Sequence, residues 1–195
     1  QMCIRDRSIG QQCWHNPIHI TKGLKIYGDR GREAVKKEMK QLDDMEAVKP
    51  KKVESLTKEQ RKNALPCLMF ITEKNDGSVK GCCVVDGSKQ EMEKDDVSAP
   101  TISTDALFIT LVIDASERRR VVTWDVPGAF LQTKASPGNY IKFTGEMVNI
   151  LCQLNPRLYT PYVVMENGRK VLYTEAHKAV SVSYTHLTLP TMRTV

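Results

Sequence analysis

Asp125 is the residue of this sequence best placed to do chemistry. Residues 121–132 read Val-Val-Thr-Trp-Asp-Val-Pro-Gly-Ala-Phe-Leu-Gln. A β-branched, apolar run ends on the carboxylate, and a small-residue turn with one aromatic follows at once. The run predicts a central strand over 121–126. A carboxylate at the mouth of a buried strand suits a divalent cation, because hard cations prefer oxygen ligands. Phe130, after Pro127-Gly128-Ala129, can floor a small pocket beside it. The plainer alternatives are an Asp125 that caps a helix and a Phe130 that fills the core. Other constellations are weaker. Cys13, His15 and His19 lie close together, but no second half of a zinc site follows at finger spacing. Asp43-Asp44 and Asp95-Asp96 read as solvated charge on a helix and in a loop. Lys49 to Lys52, Lys58, Arg61, Lys62 and Arg118, Arg119 and Arg120 could contact phosphates, or simply form solvated faces.

The bulk properties narrow the class. The chain has 195 residues, 41% hydrophobic and 27% charged, with a formal net charge of +6. That length suits one or two domains with a real core, and the composition is not that of a disordered chain. No apolar run is long enough for a membrane span. The basic excess is compatible with a polyanionic partner but does not require one. There are six cysteines, at 3, 13, 67, 82, 83 and 152, with no Cys-x-x-Cys pair. Reduced thiols in a cytosolic or nuclear protein are therefore expected rather than a secreted disulfide framework.

Several elements must position the candidate site. Gly28-Asp29-Arg30 opens a helix capped by Asp29, with Val35, Met39, Leu42 and Met45 on one face. Pro50 closes it, and Lys49-Pro50-Lys51-Lys52 reads as a basic linker. Thr57 with Gln60 makes a capping box for a short helix to Ala64. Residues 65–72 and 79–85 are strands joined by a turn at Asp76-Gly77. Residues 90–96 are a charged loop. Ser103 or Thr104 caps a helix that is apolar nearly all round and so should be buried, with Arg118 to Arg120 near its C-terminus, where the dipole favours cations. Residues 139–143 form a strand, and Thr144 caps a helix stopped by Pro156. Strands over 162–165 and 170–174 flank an Asn167-Gly168 hairpin turn, and 175–180 starts another helix. The alternation predicts an α+β fold.

In this setting residues 125–131 resemble the first catalytic motif of reverse transcriptases, in the Asp-Val-x-x-Ala-Phe-Leu form of copia-type LTR retrotransposons. Other segments resemble the same family in the same order. Residues 74–90, Lys-Asn-Asp-Gly-Ser-Val-Lys-Gly-Cys-Cys-Val-Val-Asp-Gly-Ser-Lys-Gln, are similar to its fingers hairpin. Residues 98–104, Ser-Ala-Pro-Thr-Ile-Ser-Thr, are similar to the segment before the fingers-to-palm helix. Residues 142–147 and 170–173 continue as its palm does. The likeness covers about 14–180.

The resemblance implies fingers and a partial palm of a right-hand polymerase. It divides the chain into a helical N-terminal segment (8–64), a fingers-like hairpin and helix (65–120) and a partial palm (121–180). Residues 1–7 and 181–195 resemble translated sequencing-adapter read-through and are expected to lie outside the native fold. His186 then carries no function. The implied activity is RNA-directed DNA synthesis from dNTPs on an RNA or DNA template-primer, with two Mg2+ ions. Asp125 would be the catalytic metal ligand. Val126 to Ala129 would wrap the triphosphate, and Ala129 would need to be small beside the sugar. Phe130 would exclude a ribose 2′-hydroxyl. Lys74 and Lys80 match basic positions of the fingers that fold over the triphosphate, while Cys82 stands where the family usually has arginine. The family's Tyr-x-Asp-Asp motif does not occur in this chain, so this polypeptide alone is expected to be inactive, with an unpaired sheet edge and exposed apolar surface. An intracellular location, in a cytoplasmic particle or the nucleus, and an origin in a larger polyprotein with other portions alongside are also implied. A non-catalytic basic nucleic-acid-binding module is the alternative.

Overall fold

The computed structural model describes residues 17–87, 102–122, 126 and 128–180, with Phe130 described by its backbone alone. The fold is α+β, built on a mixed seven-stranded sheet. Its longest pairing is the hairpin of β3 (Leu65–Glu73) and the edge strand β4 (Val79–Val85), antiparallel from Cys67↔Val85 to Glu73↔Val79. In β3, Leu65, Cys67, Met69 and Ile71 are buried and alternate with half-buried residues, the period-2 pattern of a strand with one face on the core. The short β1 (Ile18–His19) pairs with β3 near its far end.

The start of β3 also pairs in parallel with β5 (Tyr140–Thr144), at Leu65↔Ile141 and Pro66↔Lys142. A parallel pair needs a long crossover, and residues 74–139, β4 among them, supply it. They include α3 (Thr104–Ser116) and the candidate motif. β5 is antiparallel to β7 (Arg169–Ala176), whose other partners are β6 (Val164–Glu166) and β2 (Val48–Pro50). The β6–β7 turn puts Asn167 at φ 49° and Gly168 at φ 73°. Two successive positive φ values are the geometry that an Asn-Gly dipeptide supplies at least cost.

One face of the sheet is covered by α1 (Ile20–Asp44) and α4 (Glu146–Leu154). Gly31, Val35, Met39 and Leu42 form the buried stripe of α1, and Met147, Val148, Ile150 and Leu151 that of α4. The short α5 (Pro156–Tyr159) follows and buries Tyr159 in the same core. On the opposite face lie a 3-10 turn (Val53–Ser55) and α2 (Lys58–Asn63). Leu56 and Ala64 there meet Val171 and Tyr173. Strand β7 is therefore buried on both faces at its centre.

The capping box of α2 is present, with both Thr57 and Gln60 bonds made. Ser103 is the cap of α3. Several expectations need correction. The helix expected to open at Gly28 begins eight residues earlier, at Ile20, and Gly28 is a kink within it at φ 53° and ψ −126°. Glycine takes that conformation without a Cβ clash. The helix ends at Asp44, before Pro50. Lys49-Pro50, expected as linker, belongs to β2, because the edge of β7 at Thr174–Ala176 offers backbone partners. The same pairing makes Glu175 and Ala176 strand where a helix start was expected. Gly145 (φ 62°), not Thr144, caps α4.

The largest correction concerns α3. Its all-round apolar surface was expected to be buried, yet Leu107, Phe108, Ile109, Leu111, Val112 and Ile113 are all exposed. Lack of a polar face marks a helix as needing cover but does not supply it. No described element packs extensively against this helix. Likewise Val121 and Val122, expected to begin a central strand, lie outside any strand, and Val122 is 83% exposed. Val126, its expected end, is likewise outside any strand, while residues 123–125 fall outside the described residues, as does the charged loop at 90–96.

Candidate functional site

Asp125 lies outside the described residues, and so does the side chain of Phe130. The structure does define the ground on which the motif's turn rests. Val126 is exposed, Gly128 and Ala129 are half-buried, and a 3-10 turn (Ala129–Gln132) follows. Leu131 in that turn is buried in the main core. Gly128, at φ 60°, sits against the C-terminal end of α1. A Cβ placed on it would lie 2.6 Å from Gln41 Nε2 and 3.4 Å from Met45 Sδ. Its positive φ gives the glycine a conformational reason, while the Gln41 and Met45 atoms it meets are the ends of flexible side chains.

Backbone bonds fasten the segment after the turn. The Ala135 amide donates to His177 O and the Ala179 amide to Thr133 O, each at 2.9 Å. The amides of His177 and Lys178 both donate to Ala47 O. The end of α1, the segment at 133–135 and the exit of β7 therefore form one hydrogen-bonded knot beside Gly128.

The fingers-like lysines stand elsewhere. Lys74 and Lys80 are both exposed on the β3–β4 hairpin. The turn at its tip is held by Ser78, whose amide donates to Asp76 Oδ1 and whose carbonyl accepts from the Lys74 amide. Arg30 of α1 donates to Gly77 O at 3.3 Å, so the tip lies level with that residue. Gly128 lies level with Gln41, eleven residues further along α1. At the helical rise this is a separation of about 16 Å along the axis. Lys74 is thus not brought to the Gly128 turn. Lys80 stands closer along the helix, since its charge acts on Glu38. The period of β4 puts Lys80, Cys82 and Val84 on one face, and Gly81, Cys83 and Val85 on the face toward α1. Cys82, at the usual arginine position, therefore shares a face with Lys80.

The arginines after α3 are only partly available. Arg119 is engaged by Asp114 at 3.4 Å and by Glu117. Arg118 adopts φ 53°, and Arg118 and Arg120 are exposed.

Sequence reasoning missed several polar groups. Asp43, read as solvated charge, accepts a hydrogen bond of 2.7 Å from the hydroxyl of the buried Tyr159. Burial and this carboxylate push the Tyr159 hydroxyl's pKa well above the ordinary tyrosine range. Lys142 donates to Glu166 at 2.7 Å, and the Tyr173 hydroxyl donates to the same carboxylate at 2.9 Å. Lys142 also lies 5.3 Å from the centre of the Tyr173 ring. The Lys142 ammonium holds Glu166 below the usual carboxylate range. Glu38, half-buried on α1, accepts from the Cys83 amide at 3.1 Å. Burial raises its pKa, opposed by that amide and by Lys80. Among the described residues, no three His, Cys, Asp or Glu side chains stand together as a metal site. No helix among them is long and apolar enough to cross a membrane.

Comparison with protein-family models, with curated proteins and with solved structures found no match to this chain.

Proposed function

We propose that this chain carries the fingers and the first half of the palm of an RNA-directed DNA polymerase of the copia retrotransposon type. The observation that carries this reading is the order and spacing of the motif-like segments at 74–90, 98–104, 125–131, 142–147 and 170–173. The α+β architecture and the hairpin with its turn at Asp76-Gly77 are compatible with it. In the reaction, a primer 3′-hydroxyl attacks the α-phosphorus of a dNTP and pyrophosphate leaves. Two Mg2+ ions, where bound, would lower the cost of the charge that develops on the attacking and leaving oxygens. Asp125 would be one carboxylate ligand, which is too few for two ions. Val126 to Ala129 would lie along the triphosphate, and the Phe130 ring would stand against the sugar and leave no room for a 2′-hydroxyl. Lys74 and Lys80 would reach the phosphates only if the hairpin tip and the Gly128 turn approach each other.

The test has two arms. The purified chain with template-primer, dNTPs and Mg2+ is expected to give no primer extension, and clear Asp125-dependent extension would overturn the expectation that it is inactive alone. In a polypeptide extended through a Tyr-x-Asp-Asp segment, Asp125→Asn should abolish synthesis and spare salt-dependent binding of template-primer. The rival reading is a basic binding module. It draws on the exposed Lys49, Lys52, Lys58 and Lys62, none of which pairs with a described acidic side chain. If the extended polypeptide binds nucleic acid but never synthesises DNA, the rival is the better account.

A further inference from the structure

The hairpin register places two thiols together in the core. Cys67 pairs across the ladder with Val85, and Met69 pairs with Cys83. Cys67 and Cys83 are therefore diagonal neighbours on the face toward α1, the pairing at which side chains of adjacent strands come within reach. Their sulfurs lie 2.9 Å apart, and both residues are 3% exposed. The hydrogen bond to Cys67 and then burial push the Cys83 thiol's pKa well above the ordinary range. Cys82 points to the other face, and Cys152 lies on α4.

We propose that Cys67 and Cys83 form a reversible cross-strand disulfide when the protein meets a small peroxide. The geometry carries this: a disulfide needs sulfurs about 2.05 Å apart, so closure asks for a contraction of only about 0.9 Å between strands already in register. Diagonal positions of a ladder stand about 7–8 Å apart, at the upper edge of the spacing a disulfide spans, so closure draws the two strands together at this point of the hairpin. The chemistry balances with hydrogen peroxide as the oxidant. One thiolate attacks a peroxide oxygen, the O–O bond breaks, and a sulfenic acid and hydroxide form. The second thiolate attacks the sulfenic sulfur, the S–S bond forms and the sulfenic oxygen leaves as a second hydroxide. The two thiol protons convert both hydroxides to water. The raised pKa of Cys83 makes the reaction slow at neutral pH and faster above it, because the thiolate is the reacting form. Both thiols are buried, so the oxidant that meets them has to be small. The proposal does not depend on the polymerase reading.

The full chain is treated with hydrogen peroxide under native conditions at pH 7 and pH 9, then unfolded and alkylated, digested and analysed by mass spectrometry. The expected result is a cross-linked peptide pair containing residues 67 and 83, formed faster at pH 9 and lost on treatment with dithiothreitol. Closing a loop of this size should raise Tm by about 5 °C or more. Cys82→Ser removes the neighbouring thiol and should leave the cross-link in place. Cys83→Ser should abolish it. Alkylation of both Cys67 and Cys83 after peroxide treatment would overturn the proposal, and so would a cross-link that survives Cys83→Ser through Cys82.

Discussion

Glu38 shows how one side chain can serve the fold and tax it. Its carboxylate caps the otherwise inward-facing amide of Cys83, and an unsatisfied buried donor would cost more than the bond is worth. The same position removes the carboxylate from water, and burial raises its pKa. A carboxyl whose folded pKa is raised contributes stability that is full below the ordinary glutamate range and is lost as pH rises through the folded value. Glu38→Gln keeps an oxygen to accept from Cys83 and removes the charge. It should raise the urea midpoint at pH 7 and leave it unchanged near pH 4. A midpoint that falls at pH 7 would show that the attraction to Lys80 outweighs burial. Glu166 and Glu175 have the opposite sign. Lys142 and Lys51 hold their pKa values down, so their stabilisation is present above the ordinary range and fades as pH falls. Both pairs are partly exposed and are worth less than about 1 kcal/mol each.

At the level of elements, the contact that fixes α1 on the hairpin is made by an absence of side chain. A Cβ on Gly81 would lie 2.9 Å from Ala34 O, 3.2 Å from its carbonyl carbon and 3.3 Å from Val35 Cα. All three are backbone atoms, so no rotamer change can make room and the helix itself must move. Gly81→Ala should cost about 1–3 kcal/mol, the range for overpacking a close contact. Chemical denaturation measures it, and an unchanged midpoint would mean that α1 is free to lift from β4. The effect should spread along α1, because Glu38 meets Cys83 and Gln41 meets Gly128 on the same helix. A lifted helix loosens the ground beneath the candidate turn even though Gly81 is distant from it.

For the whole molecule, α3 is the unresolved liability. Six large apolar side chains between Leu107 and Ile113 are exposed, with Ile102 and Val122 also exposed nearby in the chain. A contiguous exposed apolar surface of that kind drives self-association. The chain should therefore associate as its concentration rises. Phe108→Glu with Val112→Lys, two of the most exposed positions, should suppress this without lowering Tm. Light scattering beside a thermal melt makes the check. A melt that collapses in the double variant would show that α3 is packed in solution, contrary to its exposure here.

Much of the local structure was legible because its causes lie within a few residues. Alternation along β3, Asp76-Gly77, the Thr57 capping box, Asn167-Gly168 and the Ser103 cap are each specified by neighbours in the chain. The candidate motif around Asp125 lies partly outside the described residues, and what the structure adds there is the Gly128 turn against the end of α1. Partners far apart in sequence were not legible. Only the pairing of 48–50 with 174–176 decides that both segments are strands rather than linker and helix start. Only the approach of α5 to α1 gives Asp43 its tyrosine. A strand or helix pattern records that a face is apolar but not which surface arrives to cover it, and α3 is where that difference is largest.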